Sequence, residues 1–365
     1  MQNRQFITPA TSVALEAVRF AAALTVACWH VAQTGVYSSP AALTLAPAHV
    51  AVLTFFVMSG LVIAASTDPS RTTLSDYAIN RASRIVPSAA IAVFLGIAFT
   101  LANGPAAVMP VEQSAQFGEL SLRAVVLPLL FLSQSAGGVG PYWNPPYWSL
   151  AYEVWYYALF AATVYLSGSR RLLWLGVLAL LAGLQILLLL PVWLIGAGLA
   201  RMRWTRVLHP LAGLVLLVGA SLAIHQVNQQ ADWVRDAVAT SLPAHIDLRF
   251  SNYFLTDYAT GLLVAIGFIG LRALAETGSP WLMRMAAPIR SLAGCSFTLY
   301  LLHWPILCEL RVLGVQTQSP VVAAGVLGGV VALALAVSSV TEARRYALRT
   351  WLRGLRGNRA LVQPA

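Results

Sequence analysis

The sequence predicts an all-α fold that crosses a membrane many times, a polytopic helix bundle. Three observations carry that class. Hydrophobic residues fill 58% of the 365 positions and charged residues only 10%, well below the roughly 25% with which a soluble domain covers its surface. Ten apolar runs reach or approach the about 20 residues that span a hydrocarbon core. The 23 basic residues, all of them arginine, crowd into alternate connections, the pattern of cytoplasmic loops.

The runs fall at 13–34, 47–66, 86–103, 147–168, 172–189, 190–203, 207–226, 253–272, 291–312 and 319–340. The first has no small-residue cleavage site behind a short apolar core, so it reads as a span rather than a secretory signal. The fifth and sixth are contiguous, and Pro191 marks the expected break, because proline ends or kinks a helix. A further stretch, 121–133, is short and contains Pro128. It reads as a re-entrant element, tolerable where protein covers its irregular backbone. With the N-terminus in the cytoplasm, 18 arginines fall inside, and Arg123, Arg235, Arg249 and Arg311 fall outside. Counting 121–133 as a full span would reverse every later loop and erase that bias. The expectation is about ten spans with both termini cytoplasmic.

No polar linker divides the chain. Residues 1–340 read as a single membrane domain and 341–365 as a basic cytoplasmic tail suited to an anionic lipid surface. The outer connections 104–120 and 227–252 are too short for folded domains. The formal net charge of +10 follows from the loop arginines, so it points to membrane topology and not to nucleic acid. Cys28, Cys295 and Cys308 all sit in apolar runs. Their odd number and spacing speak against a disulfide framework or a metal centre.

Ionisable groups inside spans are costly and usually mark function. The first run, "LEAVRFAAALTVACWHV", carries Glu16, Arg19 and His30. Arg19 and His30 are 11 positions apart, which leaves them about 20° apart around a helix and about 16 Å apart along it. Glu16 stands three before Arg19, within pairing reach. The second run holds "FFVMSG", Phe55 to Gly60, where Ser59 and Gly60 permit close helix approach. The third is preceded by "NRASR", which sets Arg81 and Arg84 one turn apart at the cytoplasmic mouth. Paired guanidinium forks suit phosphate, and an ordinary positive-inside anchor is the plainer reading. "PPYWSLAYEVWYY" enters from outside and carries Glu153 about a turn and a half deep. "SFTLYLLHWPI" places His303 in mid-span before Trp304 and Pro305.

These five stretches, in this order, resemble the membrane-bound acyltransferase family 3, whose members move acyl groups, often acetyl, onto sugars and other hydroxyl compounds. The family's basic residue, ten spacers and histidine match Arg19 to His30. Its FFxxSG-type motif matches Phe55 to Gly60, and its RxxR-type pair matches Arg81 and Arg84. A W-[ST]-L-x-x-E segment matches Trp148, Ser149, Leu150 and Glu153. A late S-[YF]-x-x-Y-L-x-H-x-P segment matches Ser296, Phe297, Tyr300, Leu301, His303 and Pro305. The resemblance covers about residues 11 to 340. Glu16 and Phe20 depart from the family's usual L-D-x-[LI]-R-G opening; Glu16 keeps the acid, and the lost glycine bears on helix packing.

The resemblance implies a membrane O-acyltransferase that takes an acyl group, with acetyl expected, from cytoplasmic acyl-CoA to a hydroxyl of a carbohydrate, polysaccharide precursor or secondary metabolite. Acyl transfer to an alcohol needs a base that titrates near neutrality, the range of histidine. His30 is the candidate, as general base or as acyl carrier, and Arg19 with Glu16 is assigned to the same catalytic set. Arg81, Arg84 and Ser59 are assigned to the acyl donor. Glu153, Trp148, Ser149, Tyr300 and His303 are assigned to the acceptor or to structural support. Tyr142, Trp143, Tyr147 and Trp148 offer aromatic faces for a sugar, or an interfacial belt. The expected partners are acyl-CoA, the hydroxyl acceptor and the lipid bilayer of a bacterial inner membrane; no metal or nucleic acid is expected. Oligomeric state is open, a dimer among the options. The alternative from another class is a proton-coupled transporter that relays protons through His30, Glu153 and His303.

Overall fold

A computed structural model describes residues 5–39, 48–104, 121–135, 144–204, 207–243 and 246–360. Arg4, Arg206, Tyr142, Trp143, most of the 104–120 connection and the last five residues of the tail lie outside them. The described residues form helices, in the order α1 (Pro9–Gln33), α2 (Ala48–Ser66), α3 (Leu74–Asn103), α4 (Leu122–Leu129), a 3-10 turn (Pro145–Tyr147), α5 (Trp148–Tyr165), α6 (Gly168–Ala182), α7 (Leu184–Arg201), α8 (Pro210–Gln229), α9 (Ala231–Ser241), a second 3-10 turn (Arg249–Ser251), α10 (Phe254–Thr277), α11 (Ser279–Arg284), α12 (Ala286–Val312) and α13 (Pro320–Ala360). They contain no strand, only an isolated bridge between Tyr37 and Thr317. Eight helices are long and apolar enough to cross a membrane: α1, α2, α3, α7, α8, α10, α12 and the first 22 residues of α13. Of the remaining two expected spans, α5 is 18 residues long and rich in Trp and Tyr, and α6 has 15 residues.

The chain divides into two compact units. One comprises residues 1–26, 47–66 and 179–293. Its core is built on close helix crossings. A Cβ on Gly60 would collide with the Trp193 carbonyl oxygen, and one on Gly196 with that of Val57. The glycines therefore let α2 and α7 touch backbone to backbone, the small-residue packing expected where lipid removes the hydrophobic drive between helices. Gly213 and Gly270 do the same for α8 and α10. Near the start of α1, Ala10, Val13 and Ala14 pack on Ala275, Leu282 and Ala286.

The other unit comprises residues 27–46, 67–178 and 294–365. Thr73 caps α3: its hydroxyl accepts from the Asp76 amide at 3.2 Å and donates to the Asp76 carboxylate at 2.7 Å. That reciprocal pairing satisfies a helix terminus. Beyond α4 the backbone turns irregular, with Phe131 at φ 59°. Its carbonyls are covered by protein: Tyr147 donates to Pro128 at 2.9 Å and Trp155 Nε1 donates to Phe131 at 3.1 Å.

Three boundaries differ from the sequence reading. The break near 190 falls at Gly183, whose φ of 84° suits glycine, and Pro191 lies inside α7. α3 begins at Leu74 and carries Arg81, Arg84 and Pro87 within it. α13 runs without interruption through residue 341 to Ala360, so the described part of the tail is a helical extension. Its Arg353 lies 3.4 Å from Asp76 at the start of α3.

Candidate active site

Two helices meet at histidine. His30 stands near the end of α1 and His303 two-thirds of the way along α12, and His30 Nδ1 lies 2.6 Å from His303 Nε2. The rings are nearly parallel, at 9°, with centroids 4.9 Å apart. That separation is about as large as so short an N···N contact allows, so the rings meet edge to edge and do not stack face on face. His303 Nδ1 is 3.0 Å from the Leu299 carbonyl. A carbonyl only accepts, so His303 Nδ1 carries the proton. Its Nε2 is then an acceptor in the neutral ring, and His30 Nδ1 must be the donor to it. The proton order that follows puts a lone pair on His30 Nε2.

The surroundings hold this pair. His303 is fully buried and Trp304 nearly so; the indole packs edge-on to His30 with centroids 4.8 Å apart at 87°. His30 itself is half-buried. Just before His303, α12 is tied to the segment leading into α5. Tyr300 donates to the Pro146 carbonyl at 3.0 Å and lies 2.7 Å from the Ser149 hydroxyl. Asn144 Nδ2 donates to the Leu301 carbonyl at 2.7 Å. Ser149 and Tyr300 thus join each other, and they support the helix that bears His303. Trp148 is buried against Tyr152. Just beyond the two histidines, backbone bonds link the chain leaving α1 to the chain leaving α12: Ser38 to Thr317 at 3.0 Å and Thr317 to Val36 at 2.9 Å.

A second cluster gathers on α3 and α5. The Arg81 guanidinium lies 5.9 Å from the ring centroids of both Tyr77 and Tyr157, within cation–π range. The Tyr157 hydroxyl donates to Glu153, one turn earlier on α5. Glu153 and Arg81, expected toward opposite membrane faces, therefore share Tyr157. Arg81 also lines a cavity of about 560 Å³ whose other walls are almost wholly apolar, among them Ile85, Phe131, Ala161 and Trp174. Its buried Nε has no hydrogen-bond partner among the described residues. Arg84, one turn on, is half-buried.

The remaining candidates lie in the other unit. Arg19 Nη2 donates to the Ala293 carbonyl of α12 at 3.2 Å. Glu16 sits 3.4 Å from Arg290 Nε, a partner brought by α12. Ser59 accepts from Trp193 Nε1 at 3.2 Å, within the α2–α7 crossing. Sequence reasoning passed over two groups. Asn144 precedes the Pro145–Pro146 turn, a common loop pattern that gives no hint of its partner. His49 lies 2.8 Å from Asp257, which is 2% exposed, a pairing over 208 positions without a local signature. Among the described residues no three His, Cys, Asp or Glu side chains converge as a metal site would require.

Comparison with known proteins gives one match. A family model described as an acyltransferase domain covers residues 12–340, and nothing in it supports the transporter alternative. No curated protein and no solved structure matches the chain.

Proposed function

Because the chain belongs to the acyltransferase 3 family and is a multi-pass membrane acyltransferase, we propose that it moves an acyl group, acetyl in the simplest case, from acyl-CoA to a hydroxyl of an envelope carbohydrate, polysaccharide precursor or secondary metabolite. The observation that carries this reading is the His30–His303 contact beside the Leu299 carbonyl, from which the proton order of two neutral rings follows. In the reaction the thioester C–S bond breaks, an ester C–O bond forms, and the hydroxyl proton ends on the coenzyme A thiolate. The lone pair on His30 Nε2 fits the first proton transfer, which general-base catalysis accelerates by roughly 10²–10⁴. The same lone pair fits direct attack on the thioester carbonyl, with an acyl-imidazole on the way. Positive charge that develops on His30 in either route is shared toward His303, whose own proton rests on the Leu299 carbonyl.

The donor side of the proposal rests on Arg81 and Arg84, one turn apart on α3. Coenzyme A is polyanionic, and a guanidinium framed by two tyrosine rings holds its orientation while still offering donors to phosphate. The cavity at Arg81 suits the uncharged part of the donor. Arg19 is proposed to orient the anionic donor along its path. Ser59, engaged by Trp193, supports helix packing on this reading. Glu153 organises the Arg81 cluster through Tyr157, and Trp148, Ser149 and Tyr300 hold the helix of His303. Both termini are placed in the cytoplasm, with the membrane that of a bacterial cell.

The test is coenzyme A release by purified protein from acetyl-CoA, with and without acceptor, and mass spectrometry of envelope glycans and metabolites from cells with and without the gene. Acceptor-dependent release and a missing acyl group in the deletion support the reading. No acyl difference in any hydroxyl compound overturns it. Quenching after donor alone separates the two roles of His30: a hydroxylamine-labile acyl group on His30 identifies the carrier, and its absence alongside full turnover identifies the base.

A further inference from the structure

Pro305 lies inside α12, two residues beyond His303. Proline has no amide hydrogen, so the carbonyl four residues earlier, that of Leu301, has no helical donor. A carbonyl left unpaired in a buried site costs about 1–3 kcal/mol, and the helix there is free to bend. Asn144 meets that carbonyl. Its Nδ2 donates to Leu301 O at 2.7 Å from a fully buried position. The amide orientation is fixed by chemistry, since the opposite one would set oxygen against oxygen. At the other end of the same group, Asn144 Oδ1 is buried without a partner among the described residues. A fully buried side chain that satisfies a proline-orphaned carbonyl is placed for that carbonyl.

The location gives the bond a functional meaning. Leu301 sits between Leu299, whose carbonyl takes the proton of His303 Nδ1, and His303 itself. Tyr300, next to it, is tied to Pro146 and Ser149. We propose that Asn144 is a positioning residue for the acyl-transfer reaction: it replaces the hydrogen bond that Pro305 removes from α12 and so sets the rotation and depth of His303 against His30. The inference rests on the reading that the histidine pair does the chemistry.

A double-mutant cycle tests it. Asn144→Ala leaves the Leu301 carbonyl unpaired. Pro305→Ala supplies an amide hydrogen to that carbonyl. A displacement of about 1 Å at a reacting group can cost on the order of 100-fold, so Asn144→Ala is expected to lower kcat by roughly 10- to 100-fold with little change in KM for acetyl-CoA. In the double variant the loss should largely disappear, leaving it close to Pro305→Ala alone. A purely structural asparagine would lower folded yield and leave kcat per folded molecule unchanged, and that result overturns the proposal. Equal impairment of Asn144→Ala and the double variant overturns it as well. Should Asn144→Ala fail to fold, Asn144→Asp, which keeps the volume and removes the donor, takes its place: a kcat per folded molecule lowered by about 10-fold or more and restored by Pro305→Ala supports the proposal, and an unchanged kcat overturns it. His30→Ala is measured in parallel. If that variant keeps full activity, the reading of the histidine pair fails, whatever the cycle shows. If it is inactive while the cycle shows no coupling, only the role of Asn144 fails.

Discussion

An isolated neutral imidazole exchanges between two tautomers, and a catalytic lone pair on Nε2 needs one of them. The Leu299 carbonyl fixes His303, and His303 fixes His30. His30→Ala is therefore expected to reduce acyl transfer by about 10²–10⁴-fold, read as coenzyme A release. His303→Leu should keep the site apolar and filled but leave His30 Nδ1 without its acceptor, lowering kcat at unchanged donor KM; a change in KM alone would contradict the orienting role. At the Arg81 cluster the ring faces matter more than the Tyr157 hydroxyl. Tyr157→Phe retains the cation–π contact and is expected to leave donor KM within about threefold, a loss below 1 kcal/mol. Arg81→Lys should raise it markedly, since an ammonium neither stacks nor forks. Equal KM effects from the two substitutions would show that stacking is not what holds Arg81.

At the scale of elements, α2 and α7 touch through Gly60 and Gly196. Gly196→Leu forces side-chain atoms into the Val57 backbone, an overpacking that costs about 1–3 kcal/mol or more. It should cut folded yield and thermal stability in detergent. Gly176→Ala on α6, where a Cβ meets nothing within 4 Å, is the control; it should be neutral or stabilising by about 0.5–1 kcal/mol. The helices themselves were largely legible in the sequence because apolar length is a local property. Their breaks were less so. Proline at 191 looked decisive, yet a neighbouring helix can carry a proline in mid-membrane, while Gly183 takes the left-handed conformation that ends α6. The candidate site residues follow the same division. Arg19, His30, Arg81 and His303 could be picked from motifs. The contact of His30 with His303 spans 273 positions, and no spacing rule reaches that far. Helical geometry offers Glu16 only partners on its own helix, such as Arg19; Arg290 arrives from another helix.

For the whole molecule, the arginine bias and the eight long apolar helices agree on a multi-pass protein, and the proposed orientation has a direct test. With native cysteines replaced, Arg235→Cys should react with an impermeant thiol reagent added outside intact cells. Arg171→Cys should react only after permeabilisation. The reverse labelling would invert the topology on which the donor side is assigned. On the helical extension of α13 past residue 341, with Arg353 beside Asp76, Arg344, Arg345, Arg349 and Arg353 are each exposed or half-buried. Truncation after Thr341 is expected to change affinity for anionic vesicles more than turnover, at about 1 kcal/mol per arginine near the surface.

The Asn144–Leu301 bond also has a consequence for inheritance. Asparagine at 144 and proline at 305 solve one backbone problem between them, although 161 positions separate the two codons. Neither can drift alone without cost. A lineage that loses the proline removes the need for the amide and frees position 144 for other residues. A lineage that first loses the amide is under pressure to exchange the proline next. Across divergent relatives the two columns should therefore change together, and relatives with Ala, Ser or Leu in place of the proline should show the widest choice of residue in place of the asparagine.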